Sequence, residues 1–261
     1  MNKLKIYISV DFEGAACVVG VPGKKLSELG RYEYEEVRRI VTGEANAAVE
    51  GCLEGWATDI LVNDAHNGGT CMIHDELHPR AKVLLGSPRP RRFLGLDGSY
   101  DGVMLIAYHP MAGVTNGVLS HSYSSAGIQH MWLNGRRIGE IGFDAACSGE
   151  LGVPVVLVTS CREGCREAKD FLGDVETVVT KWGVSRNAAI SLSVAEARDQ
   201  IRAAASRACG RIGEFEPFKV EPPLELKTEY KLESFVDGKG GGERTGPRTF
   251  VRRADSIFDV R

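Results

Sequence analysis

"LKIYISVDFEG", residues 4–14, decides how this chain reads. Leu4, Ile6, Ile8 and Val10 recur at every second position, the period of a β-strand, and the run then meets Asp11, Glu13 and Gly14. Continued at that period, the strand sends Asp11 and Glu13 to one face at its carboxyl end. Two carboxylates side by side at the end of a buried strand repel each other and lose hydration, so something positive has to offset them.

The rest of the chain supplies the context. Residues 34–56 space Val37, Ile40, Val41, Ala45, Ala48, Val49 and Cys52 three and four apart, which predicts a helix with one buried face. "DILVNDAHNGG" follows, a strand at 60–62 running into a polar loop with Asn63, Asp64 and His66. "AKVLLGS" and "YDGVMLIAYHP" predict two more strands, with His109 just past the second. "GVLSHSY" and "GIQHMWLNGRRIGEIG" read as a hairpin region turning at Asn134-Gly135, the strongest two-residue turn signal. A helix over 139–151, starting at or near Glu140, is followed by the strand "PVVLVTS", a helix over 162–172, the strand "VETVVTK" and a helix over 194–212. Such alternation predicts an α/β fold, a mixed, largely parallel sheet covered by helices on both faces. After Glu216 the texture changes to an alternating antiparallel strand ("EPPLELKTEYKL"), a glycine-rich flexible loop and a last strand, "TFVRRAD". The expected organisation is a metal-binding α/β catalytic lobe over 1–185 and a smaller C-terminal α+β lobe over 186–261, with a soft boundary within one compact unit.

Composition narrows the function classes. A net charge of -3 provides no basic field for nucleic acid. No apolar run approaches the roughly 18 residues of a membrane span, and the N-terminus alternates like a strand and lacks the cleavage site of a secretion signal. The seven cysteines are odd in number and without CxxC spacing, which fits reduced, mostly buried thiols in a cytoplasmic protein.

Several strands end in a metal-ligand residue type: Asp11 and Glu13 after the first, His66 after "ILVND", His109 after "VMLIAY". In open α/β sheets ligands bind at the carboxyl ends of the strands. Two carboxylates and two imidazoles converging there have the composition of a transition-metal site, most often zinc, and Glu140 at the start of its helix adds a third carboxylate. Five donors exceed one tetrahedral zinc and suit two ions sharing a bridging carboxylate, an arrangement that activates water for hydrolysis. His121, in "GVLSHSY", is either a free imidazole acting as general acid, base or oxyanion partner, or a histidine held by its serine neighbours. Asp64, beside His66, is a candidate for orienting an imidazole. Each residue also has an ordinary reading as a cap, a solvated charge or a packed histidine. His74 and His78 in "IHDELHP" mimic a ligand pair, but the acid between them is misplaced and Pro79 follows, so they read as a solvent-facing turn. His130, beside Met131 and Trp132, reads as structural, "GVPGKKLS" as a mobile surface loop and "GKGGGERTG" as a loop without nucleotide-binding context.

"SVDFEG", "VNDAH", "AYH", "GVLSHS" and "GEIGFDA", in this order and with "TGEAN" in the first helix, resemble the zinc-dependent D-aminopeptidases of the dipeptide-operon (DppA) type over roughly residues 4 to 210. The resemblance puts that family's metal ligands on Asp11, Glu13, His66, His109 and Glu140, and its catalytic histidine on His121. It implies two zinc ions per subunit, cleavage of N-terminal D-residues from short peptides such as D-Ala-D-Ala, and a homo-oligomer built as a decameric double ring of five. One residue is inserted between His109 and His121 relative to the family pattern. The match thins after Glu216, and the chain ends at "ADSIFDVR" where relatives usually continue into a further helix.

The leading expectation is a binuclear zinc aminopeptidase acting on short peptides by metal-activated water. A two-metal hydrolase of a phosphoester or cyclic amide is the first alternative, disfavoured because no arginine or lysine stands beside the ligand motifs. A non-catalytic, metal-stabilised peptide-binding protein is the second. Structural zinc sites are usually closed and sulfur-rich, unlike this oxygen and imidazole set.

Overall fold

The computed structural model describes residues 3–261. In chain order it contains β1 (Leu4–Val10), α1 (Arg31–Glu54), β2 (Ala57–Asp64), β3 (Lys82–Leu84), β4 (Gly102–Ile106), β5 (Ile128–Leu133), β6 (Arg136–Arg137) and α2 (Glu140–Glu150). Then come β7 (Val155–Cys161), α3 (Arg162–Leu172), β8 (Glu176–Ser185), β9 (Ala188–Ser191), α4 (Val194–Gly210), β10 (Leu224–Tyr230), β11 (Glu243–Gly246) and β12 (Thr249–Ala254). The main sheet runs β3-β2-β1-β4-β7-β8-β9, parallel up to β8 with β9 antiparallel at the edge.

Period 2 in β1 divides the core. Ile6, Ile8 and Val10 point into one apolar layer with Val41, Ala45 and Ala48 of α1 and Ile201, Ala204 and Ala205 of α4. Tyr7 joins the opposite layer with Ile141, Phe143 and Ala145 of α2 and Ala168 of α3. Helices therefore cover both faces, as strands buried on both sides require. α1 begins three residues earlier than its apolar spacing indicates, because its first turn is polar.

A second, antiparallel sheet runs β11-β12-β10-β5-β6. It takes β5 and β6 from the middle of the chain and the other strands from its last part. Asn134 and Gly135 make the expected turn, both in the left-handed region. β9 and β11 escape a sequence reading, being short edge strands with little apolar alternation.

"GVLSHSY" does not form the strand of a hairpin. Residues 116–123 form an irregular loop, with Asn116, Leu119 and Tyr123 at φ of 59°, 51° and 55°. Left-handed residues at that spacing break a strand. Their backbone pairs elsewhere, Leu119 N with Arg186 O at 2.9 Å and His121 N with Pro110 O at 3.2 Å.

The chain runs outward from β1 through β2 to β3, then returns to the other side of β1 with β4. Strand order thus reverses between β1 and β4, the place where an open sheet leaves a crevice at its carboxyl edge.

Candidate active site

Every donor picked out in the sequence sits at that crevice. Asp11 directly follows β1, its N–H still bonded to Ile106 O of β4 at 2.9 Å. The chain then turns through Glu13, so the two acids share a site although Glu13 lies beyond the strand. Gly14 makes the turn possible: a Cβ there would stand 1.9 Å from Tyr108 O. From beneath, the wholly buried Lys181 of β8 donates to Glu13 O (2.6 Å), Ala15 O (2.5 Å) and Val18 O (2.5 Å). Glu44 of α1 accepts the Ala16 N–H at 2.8 Å.

His66 lies in the loop after β2, its ring stacked on Phe12 at 4.6 Å. Asp64 does not orient that ring. Its Oδ2 accepts Cys71 N (2.7 Å) and Met72 N (2.9 Å), so it folds the loop instead. His109 follows β4 and donates from Nδ1 to Pro110 O at 3.1 Å, which turns Nε2 toward the acids. Glu140 is the first residue of α2, where the helix N-terminus favours a carboxylate, and Tyr123 N donates to its Oε1 at 2.7 Å. His121 donates from Nδ1 to Leu119 O at 2.8 Å and stacks on His109 at 3.8 Å.

Among the described residues the donor atoms form two sets, Asp11, Glu13 and His66, and His109, His121 and Glu140, each within 4.8 Å. His66 Nδ1 is 3.0 Å from Asp11 Oδ1 and 3.4 Å from Glu13 Oε2. His109 Nε2 is 3.4 Å from Asp11 Oδ2 and 3.1 Å from Glu140 Oε1. Asp11 therefore offers one oxygen to each set. His121 Nε2 stands off at 3.9 Å from Glu140 Oε1.

This packing needs positive charge. Asp11 Oδ2 and Glu13 Oε2 are buried without a hydrogen-bond donor. Burial, reinforced by Glu13, pushes the Asp11 pKa up to about 6. Burial works against a charged His109, yet Glu140, Asp11 and Glu13 carry its pKa up to about 10. Burial likewise opposes charge on His66, and Glu13 and Asp11 still hold it well above the usual imidazole range. His121 moves the other way, lowered by burial and by the charge of His109. Orphaned oxygens, imidazole nitrogens aimed at them and a mixed oxygen and nitrogen donor set fit divalent transition-metal ions, zinc foremost.

The sets open into a cavity of about 340 Å³ that brings in cations the sequence reading did not find. Lys24, Lys25, Arg92, Arg186 and Arg261 all line it, which corrects the expectation that no lysine or arginine attends the ligand motifs. Of these, only the lysine pair inside "GVPGKKLS" carries any signal in the sequence, and its glycines and charges are those of a surface loop. Arg186 comes from the turn between β8 and β9, far from every motif. The decoys stay outside: His74 opens a short turn with Nε2 3.5 Å from Asp64 Oδ2, and His130 Nδ1 accepts Arg137 Nη2 at 2.8 Å. Six of the seven cysteines are buried and all are free thiols. Among the described residues no helix is long and apolar enough to cross a membrane.

Known proteins resemble this chain in sequence and in fold. The family model Peptidase_M55, described as D-aminopeptidase, matches residues 4–260. A D-aminopeptidase of Bacillus subtilis (strain 168) is 35% identical over 195 residues, 74% of this chain and 69% of the relative. A solved structure, the Zn-dependent D-aminopeptidase DppA from Bacillus subtilis, described as a self-compartmentalizing protease, superposes with a TM-score of 0.90 at 29% identity. That match covers 98% of this chain and 94% of the other.

Proposed function

The chain belongs to the Peptidase_M55 family of D-aminopeptidases, and from that premise we propose that it is a binuclear zinc aminopeptidase that removes N-terminal D-residues from short peptides such as D-Ala-D-Ala. The observation that carries the binuclear reading is Asp11, whose two carboxylate oxygens face His66 on one side and His109 on the other. Asp11, Glu13 and His66 would hold one ion, and His109 and Glu140, with Asp11 shared, the second. Zinc supplies Lewis acidity toward the scissile carbonyl and toward water.

The protein's own groups do the rest. His121 has its Nδ1–H committed to Leu119 O, so its Nε2 lone pair faces the cavity and takes up a proton. The same nitrogen then returns that proton to the leaving amine, or in its charged form steadies the developing oxyanion. Its lowered pKa keeps the imidazole neutral and ready to accept, a burial effect reinforced by His109. Tyr123 N–H fixes the Glu140 carboxylate, and Phe12 fixes the His66 ring.

The test is His121→Ala in the zinc-loaded protein. It keeps two zinc ions by elemental analysis and loses about a hundredfold or more in turnover of D-Ala-D-Ala. Loss of an ion instead makes His121 a ligand, and unchanged hydrolysis removes it from the mechanism. Self-compartmentalization, described for the structural relative, extends here to a homo-oligomer, a decameric double ring whose mass light scattering reads directly.

A further inference from the structure

The cations around the cavity do not all have the same employment. Arg92 is committed to Asp144 through two bonds, Nε to Oδ1 at 2.8 Å and Nη2 to Oδ2 at 2.5 Å. Arg261 places its guanidinium carbon over the Tyr123 ring, 3.4 Å from the centroid. Lys24, Lys25 and Arg186 form no ion pair with any carboxylate among the described residues, although the chain as a whole carries more acid than base. Arg186 spends Nη1 on the Ser120 carbonyl, and its Nε and Nη2 have no acceptor among the described residues. Three cations without an ion-pair partner, lining one small cavity, form a receptor for an anion.

Their position tells which part of a peptide they meet. A second cavity, of about 560 Å³, adjoins the first and shares Lys24, Lys25, His121 and Arg186 with it. His121 and the three cations therefore stand together where the two cavities meet. Arg186 holds the carbonyl of Ser120, the residue next to His121. The leaving amine must face His121 to receive its proton, so the leaving residue extends past that ring toward Arg186. One residue spans at most about 3.6 Å, so the free carboxylate of a dipeptide ends in this region, while a longer peptide carries its carboxylate away from it.

We propose that Arg186, with Lys24 and Lys25, forms the subsite for the free C-terminal carboxylate of the leaving residue, making unblocked dipeptides the preferred substrate class. The proposal rests on the peptidase reading above. Guanidinium pairs with a carboxylate through two parallel N–H bonds, and the lysines add charge without fixed geometry. A phosphoester would satisfy the same cations, but the family cleaves peptides, and there the anion on the leaving side is a carboxylate.

The experiment compares initial rates on D-Ala-D-Ala and on its C-terminal amide with zinc-loaded protein. The native enzyme favours the acid by about tenfold or more in kcat/KM, the scale of one charged hydrogen-bonding site, and added salt narrows the ratio. In Arg186→Gln, and separately in Lys24→Gln/Lys25→Gln, the ratio falls toward one through KM for the acid, with zinc content retained. The double lysine variant changes only exposed side chains, so it stands as a control if Arg186→Gln perturbs the His121 loop. Equal rates on acid and amide in the native enzyme overturn the carboxylate subsite and leave the peptidase intact, as does a ratio that neither variant moves. Hydrolysis of neither peptide by zinc-loaded protein overturns the peptidase reading, and the subsite with it.

Discussion

Replacing Lys181 by methionine removes a charge that reaches none of the metal-type donors' side chains yet controls where one of them sits. The Lys181 ammonium is fully buried and donates to three carbonyls, those of Glu13, Ala15 and Val18, at 2.5–2.6 Å. Methionine fills similar space without a donor, so three buried acceptors lose their partner together. Each such orphan costs about 1–3 kcal/mol, and breaking a buried charged cluster typically costs about 3–5 kcal/mol. Relief of the ammonium's own desolvation, which already depresses its pKa to about 8, offsets part of this. A net loss of about 3 kcal/mol lowers Tm by roughly 6–12 °C for a chain of this size. Because the turn carries Glu13, zinc affinity measured by competition with a chromophoric chelator falls as well. Circular dichroism melts in chelator and in zinc separate the two effects, since the fold term persists in chelator. A variant that melts within about 2 °C of the native protein, with unchanged zinc affinity, refutes the clamp.

Other consequences follow from neighbouring contacts. Burial raises the Glu44 pKa from 4.5 to about 7, so the native fold binds a proton there that the unfolded chain has released, and this contribution to stability is lost as pH climbs from about 4.5 to 7. Glu44→Gln retains the acceptor for Ala16 N, so its Tm rises relative to the native protein across that window; parallel profiles contradict the raised pKa. Gly14→Ala drives a Cβ against Tyr108 O, displacing the ends of β1 and β4 together, and lowers both Tm and zinc content by an overpacking loss of about 1–3 kcal/mol or more. Chelation lowers the native Tm by roughly 5–11 °C if the ion saturates its site a hundredfold, and Asp11→Asn, whose carboxylate faces both donor sets, abolishes that difference. Retention of one full zinc equivalent by Asp11→Asn argues against a shared carboxylate.

The donors themselves were legible for a simple reason. Strands buried on both faces read as apolar runs, and their polar ends mark the sheet's carboxyl edge, where Asp11, His66 and His109 all sit. Glu140 was visible as the start of a helix expected soon after the Asn134-Gly135 turn signal. What the sequence hid depends on long-range pairing. Lys181 looks like the polar end of "VETVVTK", yet the turn from residue 13 folds over it and buries it completely. Asp64, next to His66, invited a role on the imidazole, but backbone N–H groups seven and eight residues ahead claim its Oδ2. Arg186, Lys24 and Lys25 lie on connections without periodicity, and only the fold brings them to one cavity.

Two kinds of positive charge thus serve the acids that open the chain. The ammonium of Lys181 approaches from the core and bonds only to backbone oxygens, so it sets the position of Glu13 while leaving both Glu13 carboxylate oxygens for other partners. The carboxylates of Asp11 and Glu13 keep buried oxygens that no protein donor satisfies, which is where divalent ions enter the account. Position and charge compensation are therefore supplied by different groups, and perturbing one leaves the other measurable. Lys181→Met combined with Asp11→Asn tests that division directly. With positioning independent of the ions, the destabilisation of Lys181→Met in chelator stays the same, within about 0.5 kcal/mol, whether residue 11 is Asp or Asn. A dependence larger than that makes the clamp and the carboxylate pair one unit, and the separation argued from these contacts is then wrong.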